Sequence, residues 1–74
     1  MWQRVRFKNA AVAQRAAAYG ISEDVLEAYW NSPERRGAGA QHPRGYKILR
    51  ISELYLEYLE VEGVIEIRWV EVLK

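Results

Sequence analysis

The chain has 74 residues, half of them apolar and 28% charged, with a net charge of +1 and no cysteine. A chain this short buries only about 60% of its unfolded surface, which allows one domain over 1–74 with a helix layer on one sheet. Its composition is that of a globular protein rather than a disordered one, and the lack of cysteine excludes disulfide staples and zinc–thiolate sites.

No apolar run reaches the length of a membrane span, so the expected setting is cytoplasmic, with no membrane partner and no cofactor. The net charge conceals a gradient. Residues 1–50 hold nine Lys or Arg against four acids, a balance of +5, and residues 51–74 hold two against six, a balance of −4. A domain so polarised can meet a polyanion with one side and a basic partner with the other, although ordinary solvating charge gives the same balance. Arg4, Arg6, Lys8 and Arg15 precede the first acid, as in an organelle transit peptide. Removing that segment would strip a strand and a helix from the sheet they cover, so it is read as part of the domain.

Trp2 to Phe7 alternates, with Val5 and Phe7 facing one way and Arg4 and Arg6 the other, which predicts a strand. Asn9 is placed to cap a helix over Ala10 to Tyr19, where alanine dominates and Val12, Ala16 and Tyr19 share a stripe. Gly20 follows as the left-handed C-terminal residue. Ser22 caps a second helix, with Glu23 and Asp24 in its first turn and Ile21 and Leu26 as a hydrophobic staple. Its apolar stripe is Val25, Leu26, Tyr29 and Trp30. The residue before Pro33 is disfavoured in helix, so the helix ends near Trp30 or Asn31.

Residues 33–45 form a long loop containing both prolines and the only histidine. Strands then follow over Tyr46–Ile51, Leu54–Val61 and Val64–Leu73. They are joined by a tight turn at Ser52-Glu53 and a two-residue hairpin turn at Glu62-Gly63. The fold class is therefore α+β: an N-terminal strand, two helices, and a three-stranded antiparallel meander with the helices on one face.

The turns give a register. Pairing Val61 with Val64 sets Tyr58 opposite Ile67, Glu57 opposite Arg68 and Leu56 opposite Trp69. Pairing Ile51 with Leu54 sets Arg50 opposite Tyr55. One face then holds Leu49, Ile51, Leu54, Leu56, Tyr58, Ile65, Ile67 and Trp69 and is assigned to the core. The other holds Tyr46, Ile48, Arg50, Tyr55, Glu57, Leu59, Glu66, Arg68 and Val70. All three tryptophans, Trp2, Trp30 and Trp69, are expected in or at the edge of the core.

The second face is the candidate site. Arg50 and Arg68 flank the strand that carries Tyr55 and Glu57; guanidinium forks suit phosphate, and a tyrosine ring gives a base a surface to stack on. The ordinary alternative is a cross-strand Glu57–Arg68 pair contributing about 0.2–1 kcal/mol. Arg35, Arg36, Arg44 and Lys47, with Tyr46, form a basic cluster able to grip a nucleic-acid backbone, or else a solvated turn. His42 titrates near neutrality and suits acid–base work, although an exposed loop histidine needs no such role. No phosphate loop, metal-ligand spacing or nucleophile elbow is present.

The order strand, helix, helix, loop, three strands resembles the RelE/ParE-type toxins and their small BrnT-like relatives. The run Phe7-Lys8 into a helix bearing Arg15, then Tyr19-Gly20-Ile21-Ser22-Glu23 and Asn31-Ser32-Pro33-Glu34, carries the local likeness. The resemblance implies a toxin of a toxin–antitoxin system, an mRNA interferase that works through the uncovered sheet face on RNA or the ribosome and is blocked by a cognate antitoxin. It also implies a metal-independent endoribonuclease chemistry. Glu57 would activate the 2′-hydroxyl, Arg50 and Arg68 would neutralise the phosphorane, and His42 or Tyr55 would protonate the leaving oxygen. The alternatives are a non-catalytic nucleic-acid- or protein-binding module, such as a phage-type inhibitor, and an antitoxin-like subunit pairing through its acidic last strand.

Overall fold

The computed structural model describes residues 2–32, 40–41 and 44–73. Its elements are β1 (Arg4–Phe7), α1 (Ala10–Ala18), α2 (Glu23–Trp30), β2 (Ala40–Gln41), β3 (Lys47–Ile51), β4 (Leu54–Val61) and β5 (Val64–Val72). The α+β class with two helices holds, but the sheet is larger than a meander. It is mixed, in the order β1-β5-β4-β3-β2, with β1 parallel to β5 and every other pair antiparallel. The two-residue β2 lies within the segment expected as loop. Among the described residues, no helix is long and apolar enough to cross a membrane.

Local chemistry fixes the helix ends. Asn9 accepts from the Val12 amide at 3.0 Å and Ser22 from the Val25 amide at 3.2 Å, each satisfying an amide that has no partner within its helix. Gly20, at φ 74°, ends the α1 segment in the left-handed region. Glu62 and Gly63 both have positive φ, 52° and 79°, as a tight hairpin turn with the strands' own twist requires.

Val12 and Ala16 of α1 and Leu26 and Trp30 of α2 close over Val5, Leu49, Leu56, Tyr58, Ile65, Ile67 and Val70. Trp30 meets Tyr29 and Tyr58 edge-on, with ring centroids 5.7 and 5.1 Å apart. Two tryptophans depart from expectation: Trp2 and Trp69 are exposed, and only Trp30 is in the core.

The register of β4 on β5 also differs from the regular ladder. Tyr58 pairs with Ile67 as expected, but Glu57 pairs with Trp69 and Leu56 with Val70. Arg68 is thus an extra residue on β5, a β-bulge, and the Glu57–Arg68 and Leu56–Trp69 pairs do not form. One inserted residue exchanges the two faces beyond it. Val70 becomes wholly buried, and Trp69, at 38% exposed, moves to the open side.

The outer edge of β1 is closed by side chains rather than by a strand. The amides of Gln3, Val5 and Phe7 donate to Asn31 Oδ1 (2.6 Å), Glu27 Oε2 (3.1 Å) and Glu23 Oε2 (2.9 Å). Four residues of helix rise about 6 Å and two of strand about 6.7 Å, so α2 laid along β1 offers an acceptor at nearly every outward amide. An edge strand closed in this way cannot recruit another chain.

Candidate functional site

The open face is built in three rows across the sheet. Arg50, Tyr55 and Glu71 form one row, and Ile48, Glu57 and Trp69 the next, with Arg68 bulged beside it. Leu59, Glu66 and Arg6 form the third. Tyr46, half-buried, precedes β3 on the same side. Arg50, Tyr55, Glu57 and Arg68 therefore do lie on one face, as expected, although Glu57 faces Trp69 across the ladder. Lys47 does not join them: it pairs with the buried Tyr58 and sits on the helix side of the sheet, away from Arg50. Arg44 is exposed just before β3. Arg35, Arg36 and His42 lie outside the described residues.

The carboxylates of this face are engaged. Glu66 meets Arg6 at 3.3 Å, Glu71 meets Arg15 at 3.5 Å, and Glu57 accepts from the Tyr55 hydroxyl at 2.7 Å. Arg50 and Arg68 of this face are not tied to a carboxylate among the described residues. Arg50 donates to the Ser52 carbonyl at 3.3 Å, and half-buried Arg68 has no polar partner among the described residues.

The hydrogen bond to Glu57, followed by burial and by the charge of Glu57, pushes the Tyr55 hydroxyl up to about 12. Tyr55 therefore keeps its proton at any physiological pH and acts as a donor that holds the Glu57 carboxylate in place. In-line cleavage of RNA needs its base and acid on opposite sides of phosphorus. As they stand, Glu57 and Tyr55 are bonded to each other, and dividing those roles between them requires that bond to part.

The Tyr55–Glu57 pair sets a pH signature. A group whose folded pKa is raised contributes stability that is complete below its unfolded value, near 10, and lost as pH rises through about 12. Ultraviolet titration is expected to show one tyrosine ionising near 12. In Glu57→Gln that midpoint should fall back toward the ordinary value of 10. A midpoint unmoved by the substitution would refute the assignment of cause.

Around the margin of this face, α1 contributes a residue that the sequence did not mark. Arg15 reaches the edge of β5 beyond the end of β1, where its Nε donates to the Val70 carbonyl. Its guanidinium carbon lies 4.2 Å from the centre of the Trp69 ring and 6.0 Å from that of Tyr19. Both distances are in the range of cation–π attraction. Comparison with protein-family models, with curated proteins and with solved structures returns no match.

On the opposite side of the molecule a cleft of about 480 Å³ is lined by Phe7, Ala13, Ala17, Ile21, Ser22, Glu23 and Asp24. None of the residues marked from the sequence as site candidates lines it; Arg50, Tyr55, Glu57 and Arg68 lie on the open sheet face.

Proposed function

We propose that the chain binds single-stranded RNA through the open face of its sheet. The observation that carries this reading is Arg68: a half-buried guanidinium without a carboxylate partner among the described residues, bulged out beside an exposed tryptophan. Uncompensated arginines interleaved with aromatic rings suit a strand that presents phosphates and bare bases together. Because the other acids of the face are engaged, Arg68 and Arg50 are its available cations. The RelE-like resemblance favours RNA over DNA.

Fluorescence anisotropy with a labelled single-stranded oligoribonucleotide tests this. Arg68→Ala should weaken binding by at least about tenfold, since a hydrogen bond to a charged group contributes about 1.5–3 kcal/mol. It should also lower the salt slope by about 0.7, the loss of one phosphate contact. A parent protein without measurable affinity at low salt would end the proposal.

A second reading, a toxin that cleaves RNA, is favoured by the carboxylate of Glu57 at the centre of the face with Arg50 and Arg68 on the strands either side. Expression alone would then arrest growth, a cognate antitoxin would relieve the arrest, and Arg68→Ala would relieve it with the fold intact. Retarded migration of RNA without cleavage favours the binding module instead.

A further inference from the structure

The bulge at Arg68 has a chemical consequence of its own. It breaks the β4–β5 ladder and carries Trp69 out of the core, and bulges commonly serve to re-aim a side chain at a working site. The indole that emerges is backed by a fixed cation. Arg15 is held by the Val70 carbonyl and by Glu71, and its guanidinium carbon sits 4.2 Å from the indole centre. Tyr19, 41% exposed at the C-terminal cap of α1, lies within reach of the same guanidinium.

We infer that Trp69, Arg15 and Tyr19 form a stacking station for unpaired nucleotides, continuing the open face around the edge of β5, with Arg68 taking the adjoining phosphate. This rests on the RNA reading above and adds to it the selection of unpaired over paired bases. A base can stack on the indole or the phenol ring only if its own face is bare, which a duplex denies except at its ends. Arg15 acts as a positioning residue: it holds the indole against the sheet margin and sharpens its attraction for a base. A phosphate beside Trp69 meets the Arg68 guanidinium, which no carboxylate among the described residues neutralises.

The test is binding of a labelled single-stranded oligouridylate and of a blunt duplex of equal length. Trp69→Ala should lower affinity for the single strand by about fivefold to 100-fold, the range for losing one stacked base. Trp69→Phe should restore most of it, because a phenyl ring still stacks. Tyr19→Ala should lower it by about fivefold with no change in melting temperature, since the cap of α1 is made by the Tyr19 backbone. Affinity for the duplex should be weak and unchanged in all three. The single strand should quench the indole fluorescence of the parent and quench Trp69→Phe much less. If Trp69→Ala and Tyr19→Ala bind the single strand as the parent does while Arg68→Ala is impaired, the station is wrong and the RNA-binding face stands. If the parent binds no RNA, both fall.

Discussion

Deletion of Arg68 is expected to leave a folded protein, whereas deletion of Glu66, two positions away on the same strand, is expected to unfold it. Without Arg68, Ile67 still pairs with Tyr58 and Trp69 still pairs with Glu57, now in an unbroken ladder with every core residue on its original side. The melting temperature should stay within about 8 °C of the parent, equivalent to roughly 1 kcal/mol in a domain of this size. Without Glu66 the bulge closes up instead. Ile67 moves opposite Leu59 on the open face, and Arg68 moves opposite Tyr58, into the place where Ile67 is wholly buried. An unpaired guanidinium there costs several kcal/mol, and the lost Ile67 adds a few more. Together these exceed the margin of a small domain. Circular dichroism melts of the two deletions decide the matter: a regular β4–β5 ladder in the native protein would make both deletions severe, because deleting Arg68 would then turn Trp69 out of the core. The Arg68 deletion should also weaken RNA binding at least as far as Arg68→Ala, which separates the residue's part in binding from its part in folding.

What the sequence made legible was local. Asn9, Gly20, Ser22 and the Glu62-Gly63 turn act on neighbours within about four residues, and each does in the fold what its chemistry dictates. The β3–β4 register followed from its turn in the same way. The bulge was also written in the chain, but obscured. From Ile65 onward the acids and arginine of β5 fall at 66, 68 and 71 and the buried or half-buried aliphatics at 65, 67, 70 and 72, so the alternation changes phase after Ile67. Trp69 hid that change, being apolar at an odd position where the regular ladder wanted a core residue. The parallel pairing of β1 with β5 joins residues about 60 apart, and the placement of Arg15 on the margin of β5 depends on that pairing. No short-range rule reaches either. The candidate face was therefore legible through the placement of Arg50, Tyr55, Glu57 and Arg68 on it, while the placement of Trp69, Arg15 and Tyr19 at its margin was not, because that depends on the bulge and on where β1 ends.

Asn31→Ala is expected to lower the melting temperature by about 8–16 °C, the equivalent of roughly 2 kcal/mol at this size. Asn31 closes the α2–β1 seam with three hydrogen bonds: it accepts from the Gln3 amide at 2.6 Å and donates to the Gln3 carbonyl and the Glu27 carbonyl, both at 2.8 Å. Its side-chain N–H to the Glu27 carbonyl adds to the backbone bond that the Asn31 amide already makes there, so alanine keeps the helix end but takes from the Gln3 amide and carbonyl their Asn31 partner. Asn31→Asp separates the contributions. The carboxylate can still accept from Gln3, but it cannot donate, and it places negative charge at the negative end of the helix dipole. It should therefore be at least as destabilising as alanine at neutral pH. Amide exchange gives the local readout: Gln3, Val5 and Phe7 should be protected in the parent and lose protection together in either variant, because the seam is one ladder of side chains. Acid should loosen the same seam. Glu27 is held below its usual carboxylate value, first by the Trp2 indole N–H, then by the Val5 amide and by Arg4. Its contribution is thus present above the ordinary value of 4.5 and lost as pH falls through the lower folded value. If Asn31→Ala melts with the parent and leaves the β1 amides protected, the edge of the sheet is closed by something other than α2, and the helix would have to be read as packing on the core alone.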